Sequence, residues 1–401
     1  MNAVKRHQFT HPRIKIGTVN TLATDYPTLA LLRPFLPYSA QEQTSAAMNI
    51  DQVHRHWYRS ASNVCQLTSP EHADILVLPV NWFWVRRYNW RSPVNKPLAQ
   101  ALTQLHEEWK AYDKPTLALF SGDRSAEPLP FEPTWVARES CYHTRMGATD
   151  LPLAPLTDDL FTAASELLAQ GKVLPRPNEH NPRATIGFCG LARPISLKNR
   201  FSELAYHLSQ ATKHQQLDVS PYYGETLRHY AIDLLSNSKR IDSHFIMRPR
   251  NLYIGNNNVE QRQRLRTEYI ANLLSCDYAL CIRGPGNFSY RFYEALSLGK
   301  VPVLIDTDTR LPFEDRIPWE QHILRVPVTD LGRLDVIVQQ HYERHTPASF
   351  NKLLLSNRQL WLDWFRPETY YPHLLNTLLQ REGTPKKPIN ANQQAPLVVS
   401  F

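Results

Sequence analysis

The chain has 401 residues, 42% of them hydrophobic and 20% charged, so it can build a large core and is not disordered through its length. Lys and Arg number 45 against 37 Asp and Glu, a net charge of +8 that suits nucleic acid, an anionic membrane surface or a phosphorylated small molecule. Only 13 glycines against 31 prolines exclude collagen-like or glycine-linker chains.

At roughly 100–200 residues per domain, this length predicts two or three domains. Five cysteines, Cys65, Cys141, Cys189, Cys276 and Cys281, form no C-x-x-C pair, which argues against a disulfide framework or structural zinc and for a reducing cytoplasm. The basic start, residues 1–9, leads into no apolar h-region and so does not read as a signal peptide. The longest apolar stretch, Ile75 to Val85, is broken by Pro79 and Asn81 and is too short to span a bilayer. Asn287-Phe288-Ser289 is a glycosylation sequon by chance.

In chain order, Arg13 to Val19 predicts a first strand and Ala73 to Val80 a second. Leu98, Ala101, Leu102, Leu105 and Trp109 recur at helical spacing between Pro97 and Tyr112. Thr116 to Phe120 is a third strand, closed by Ser121-Gly122-Asp123, and the order implies a parallel sheet covered by helices. A helix over 158–170 precedes the proline-rich 174–182, the best interdomain linker. The pattern restarts with a strand at Ala184 to Cys189 and a helix near Leu197 to Gln210, then a basic segment and a helix at Val259 to Ser275. Helices are expected at Leu334 to His345, Phe350 to Phe365 and Pro372 to Arg381.

The strongest signal is a strand–loop–helix–strand unit. Asp277 to Ile282 is a buried-type strand, Arg283-Gly284-Pro285-Gly286-Asn287 a loop, Phe288 to Leu298 a helix stopped by Gly299, and Lys300 to Ile305 the next strand. A glycine-containing turn feeding a helix N-terminus offers backbone N–H groups and the positive end of the helix dipole, an anion site suited to diphosphate. Asn287 is placed as N-cap, Ser289 adds a hydroxyl, and Arg283 and Arg291 add charge. Glu294, about 10 Å further along the helix, is positioned either to accept from ribose hydroxyls or to pair with Arg291. Gly284-x-Gly286-x-x-Ser289, with Asp306 about 20 residues on, also approximates a dinucleotide fingerprint and leaves an NAD-dependent oxidoreductase as a rival. A non-catalytic nucleotide- or polyanion-binding protein is the third reading.

Residues 278–318, YALCIRGPGNFSYRFYEALSLGKVPVLIDTDTRLPFEDRIP, followed by Trp319, resemble the donor-binding half of the exostosin-like glycosyltransferases, family 47. Ala73-Asp74-Ile75 to Pro79, Phe120-Ser121-Gly122-Asp123 and Ile186 to Gly190 extend the likeness upstream, while the first 70 residues show none. Arg124 departs from the family's G-x-D-H pattern. The resemblance implies an α/β fold of GT-B architecture, two Rossmann-like domains facing across a cleft. Residues 1–175 would be the acceptor side, 183–348 the donor side, 349–381 C-terminal helices and 382–401 a flexible tail.

It further implies transfer, with inversion, of a sugar from a nucleoside-diphosphate sugar to a saccharide or glycolipid acceptor. The expected protein is a soluble bacterial-type member, cytoplasmic or peripheral to the inner face of the membrane, acting in surface polysaccharide or lipopolysaccharide biosynthesis. Arg248, Arg283, Gly284, Gly286, Asn287, Ser289, Arg291 and Glu294 are the candidate donor ligands, with fixed dipoles in place of a metal or other cofactor. Arg248 and Arg250 read equally well as a solvated basic face. Asp123 and Asp25, in post-strand loops, are the candidate bases.

Other groups weigh less. His341 and His345 share a helix face, as a metal pair or a solvated surface. Trp82, Trp84 and Trp90 suit a sugar platform or a hydrophobic floor. Arg262, Arg264 and Arg266 spread around a helix, and no nucleic-acid-binding module is present. Between Lys239 and Arg291, nine basic residues face four acids, which turns the diffuse charge excess into an expectation of a phosphorylated donor.

Overall fold

The computed structural model describes residues 13–19, 27–36, 45–85, 94–171, 182–192, 224–249 and 258–380. These form two parallel sheets with surrounding helices, the α/β fold of the two-domain GT-B kind. The first sheet takes β1 (Ile14–Gly17), β2 (Cys65–Thr68), β3 (Ile75–Val77), β4 (Thr116–Phe120), β5 (Trp135–Arg138) and β6 (Asp150–Pro152) in the order β2-β1-β3-β4-β5-β6. Helices α1 (Ser45–Val64) and α2 (Lys96–Trp109) belong to this half, and α3 (Leu160–Ala169), next in the chain, packs against helices of the other half. The second sheet takes β7 (Thr185–Leu191), β8 (Asp242–Arg248), β9 (Tyr278–Cys281), β10 (Val301–Asp306) and β11 (Leu324–Pro327) in the order β11-β10-β9-β7-β8. Its helices are α4 (Gly224–Asn237), α5 (Val259–Leu274), α6 (Tyr290–Ser297) and α7 (Leu334–Glu343), and α8 (Pro347–Trp364) and α9 (Pro367–Gln380) follow.

Every strand pair is parallel. In both sheets the first strand of the half lies between the second and third, so chain direction across the sheet reverses beside it. Crevices therefore open at the carboxyl ends between β1 and β3 and between β7 and β9, where α/β sheets bind ligands. Residues of β4 and β9 are buried throughout, because helices cover both faces.

The sequence pattern misses β8, an edge strand that reads DSHFIMR and is largely half-exposed. Its polar composition suits one solvated side and conceals the strand. Pro372 lies inside α9, which starts at Pro367 rather than at Pro372 as expected. The predicted helix at 197–210, most of the 174–182 linker and the tail from 382 lie outside the described residues.

The two halves are bound tightly. Tyr142 forms an antiparallel bridge with Thr309, and the Arg310 N–H donates to Cys141 O at 3.1 Å. Arg358 on α8 grips Asp159, the cap of α3, with two bonds of 2.7 and 2.8 Å. Burial opposes ionisation of Asp159, but this guanidinium outweighs it and holds the carboxyl below its usual range. Helix α9 returns to the first half, where Tyr371 packs on Trp57 at 5.0 Å and the Tyr370 hydroxyl accepts from Ala154 N at 2.9 Å. All five cysteines are buried and free. No helix among the described residues is long and apolar enough to cross a membrane.

Candidate functional site

The loop 283–287 leaves β9 at the carboxyl end beside β7, on the switch point of the second sheet. Helix α4 begins under it: a Cβ on Gly224 would stand 2.5 Å from Arg283 O and 2.7 Å from Gly284 O. That close approach puts Arg228, one turn into α4, beneath the loop. Its guanidinium donates to Leu191 O (3.1 Å), Ile282 O (3.3 Å) and Arg283 O (2.9 Å), tying the ends of β7 and β9 together.

Arg291, in the first turn of α6, reaches the same place. It donates to Cys189 O at 2.6 Å and lies over the Phe188 ring at 4.2 Å. A Cβ on Gly190 would sit 2.8 Å from its Nη2, so a larger residue there would push the guanidinium from this position. The Nε atoms of both Arg228 and Arg291 are buried without a hydrogen-bond partner among the described residues. Burial first, then the Arg291 charge, lowers the Arg228 pKa to about 10. Two crowded cations with orphaned donors form a site that an anion would relieve.

Glu294 lies on the same helix, half-buried, and accepts a short hydrogen bond from the Tyr269 hydroxyl. Burial raises its pKa, opposed by the Tyr269 bond and by the Arg291 charge. The Tyr269 link replaces the simple pair with Arg291 as its direct partner. Arg248, at the end of β8, is buried and bonded to Glu268, so it neither joins the loop contacts nor forms a solvated face.

The loop itself departs from the expected arrangement. Asn287 does not cap α6: Ser289 is the N-cap, and its side chain makes no capping bond. Asn287 is instead buried between the halves, donating to Cys141 O at 3.2 Å and accepting from Thr307 and Thr309. Arg283 is buried as well and donates to the Tyr142 hydroxyl and Pro285 O. Neither side chain points its bonds to an open cleft; the short polar groups of the first half have drawn both inward. Gly284 is the open member, since a Cβ placed there would meet only Arg228 Nη2, at 3.8 Å.

The facing wall is made of the loops after β4 and β5. Gly122, at φ +87°, turns the chain so that the Asp123 carboxylate accepts from Gly286 N at 3.1 Å. Ser140 Oγ accepts from Asn287 N at 2.6 Å. A Cβ on Gly286 would lie 2.8 Å from Asp123 Cα, so the loop and this wall meet backbone to backbone. Two of the amides expected to hold a diphosphate thus hold the first half.

Glu139, between Asp123 and Ser140 in space, is a site residue that sequence reasoning does not single out. Its Oε2 accepts from Gly122 N at 2.5 Å. The only signal in the sequence is its place directly after a strand, and β5 itself is a short run, WVAR, that follows Pro128, Pro130 and Pro133. Asp25, Arg250 and Trp90 lie outside the described residues. Trp82 is buried against Phe131 at 5.5 Å, as a hydrophobic floor. His341 bonds the Tyr278 hydroxyl through Nδ1 at 2.7 Å, and burial lowers its pKa to about 4. No group of three or more His, Cys, Asp or Glu among the described residues is arranged to hold a metal. Asp306, the ribose acceptor of the dinucleotide reading, accepts from Thr309 N at 2.8 Å and lies 3.8 Å from Arg325.

Residues 214–341 match the model of the Exostosin GT47 domain. That segment is similar to the exostosin GT47 domain. A probable glucuronosyltransferase of Oryza sativa subsp. japonica is 37% identical over 70 residues, 18% of this chain and 17% of that protein. A probable beta-1,4-xylosyltransferase of Arabidopsis thaliana is 38% identical over 72 residues, 18% of each. The chain therefore matches under a fifth of the length of these relatives. The matched segment holds every donor-side candidate, from Arg228 to Glu294, whereas Asp123 and Glu139 lie outside it.

Proposed function

We propose that the chain is a glycosyltransferase that moves a sugar from a nucleoside-diphosphate sugar to a saccharide or glycolipid acceptor, with inversion, in the assembly of a surface polysaccharide or lipopolysaccharide. The observation that carries this reading is the pair of half-buried guanidinium groups, Arg228 and Arg291, each with a buried Nε unpaired among the described residues, at the switch point of the second sheet. Their charge and unpaired N–H groups suit the diphosphate, and they sit where it gains negative charge as the bond to the anomeric carbon breaks. Glu294, on the same helix and held by Tyr269, suits the ribose hydroxyls. The Gly286 and Asn287 amides add two donors once the diphosphate displaces Asp123 and Ser140 from them.

The site has its charge without a metal ion, and none is needed in this reading. Two named relatives act, by their names, as glucuronosyl- and xylosyltransferases, so glucuronic acid and xylose are the first sugars to try. The work is placed in the cytoplasm, with the acceptor delivered at the membrane surface. The test is donor turnover by the full chain across UDP- and GDP-sugars, glucuronic acid and xylose derivatives included, read as release of the nucleoside diphosphate. Turnover of at least one donor is expected. No turnover of any donor, together with binding of NADH, would overturn the reading in favour of the dinucleotide one.

A further inference from the structure

We propose that Glu139 is the general base of the transfer, taking the proton of the acceptor hydroxyl at its outward carboxylate oxygen. The assignment rests on glycosyl transfer being the reaction. It takes the role expected of Asp123.

The geometry separates the two described carboxylates. Asp123 is fastened to the Gly286 amide of the donor loop, so it competes with a phosphate oxygen for the same N–H. Glu139 is anchored instead to its own half, through Oε2 and Gly122 N. Among the described residues nothing donates to its second oxygen. A base needs this arrangement, one oxygen fixed for aim and one left for the substrate proton.

Its surroundings leave room for about one water molecule. Glu139 lines a cavity of about 20 Å³ together with Asn287, Ser289, Tyr293 and Arg310, directly at the N-terminus of α6. The anomeric carbon of a diphosphate-linked sugar belongs next to that terminus, because the diphosphate is held there. Tyr290, the first residue of α6, keeps 50% of its surface open, and the Glu139 carboxylate is the foremost cause that raises its phenol pKa. An exposed ring beside the base is a surface on which an acceptor sugar can stack.

The balance of the step is simple. The acceptor O–H bond breaks and its proton goes to Glu139, while the oxygen forms a bond to the anomeric carbon. The bond from that carbon to the phosphate oxygen breaks, and its electron pair leaves with the nucleoside diphosphate. Solvent then takes the proton from Glu139.

The ionisation of Glu139 suits the task. Burial raises its pKa, the Gly122 N–H opposes this, and the Asp123 charge adds to the rise, to about 7. The other groups facing it are Tyr290, Tyr293 and Tyr370, which feel its charge, and Arg310 across the cavity. A purely structural Glu139, holding the Gly122 turn, would leave the pH dependence of turnover unmoved.

The experiment uses the full chain with UDP-glucuronic acid and UDP-xylose, water serving as acceptor, and reads UDP release from pH 5 to 9. Glu139→Gln should lower kcat by about 100- to 10,000-fold, with UDP affinity by calorimetry within about twofold, which also certifies the fold. Asp123→Asn should move the acidic limb of the kcat profile to lower pH, since it removes the charge that raises Glu139. Glu139→Gln that keeps kcat within about fivefold, or Asp123→Asn that leaves the limb in place, overturns the assignment while donor binding still supports the transfer reading. Wild-type chain that binds neither UDP nor GDP overturns both.

Discussion

The two sheets share one topology and present opposite chemistry to each other. Each places its first strand between the second and third, and each gathers its loops at the carboxyl ends. At that edge the second half presents guanidinium groups, Arg228 and Arg291, and the facing half presents carboxylates, Asp123 and Glu139. The difference shows how one fold serves two jobs: topology supplies a crevice, and the few residues at strand ends decide which substrate fragment it suits. Cations suit a departing diphosphate, and carboxylates suit an attacking hydroxyl.

The contrast can be broken from either side. The largest effect is expected from Arg228→Ala, which removes one cation and also unties the ends of β7 and β9. UDP affinity should fall by about 100-fold, as for loss of a partly buried charged hydrogen-bonding group. Calorimetry checks it, and an unchanged affinity would take the guanidinium pair out of the donor site. Glu294→Ala should weaken UDP binding by about tenfold, the loss of one charged hydrogen bond to ribose, with circular dichroism unchanged. Equal affinity for UDP and for free phosphate in wild type and variant would leave Glu294 to Tyr269 alone.

The smallest effect concerns stability. The pKa of Glu139 is about 7 in the folded chain and near the ordinary 4.5 when unfolded. The folded state therefore holds the proton more tightly, and stability from this group falls as pH rises from about 4.5 through 7. Glu139→Gln should stabilise the chain at pH 8 relative to pH 5 by about 1–2 kcal/mol, allowing for partial exposure, measured by urea unfolding. A pH-independent difference would mean that the carboxyl carries no such strain.

How much of this is legible in the sequence depends on where the cause lies. The strand–loop–helix–strand unit is legible because its determinants are local: an apolar strand, two glycines, a helix stopped at Gly299. There φ is +69° and a Cβ would meet Leu354 O at 2.8 Å. Strand β8 is not, because an edge strand need not be apolar. The roles of Asn287 and Arg283 differ from those their spacing suggests, since local spacing places them at a helix terminus while groups more than a hundred residues away, Cys141 and Tyr142, hold them. Arg228 and Glu139 escape notice for the same reason. Each is an ordinary residue in its own segment, and only the packing of α4 under the loop, or of β5 beside β4, gives it a place in the site.

Titration of the full wild-type chain with UDP and, separately, with NADH, followed by the same titrations of Arg291→Ala, tests the central claim most directly. The account predicts that UDP binds the wild type, more weakly as salt is raised, that NADH does not, and that Arg291→Ala binds UDP measurably more weakly than the wild type. Binding of NADH in preference to UDP, or UDP binding untouched by Arg291→Ala, would contradict it.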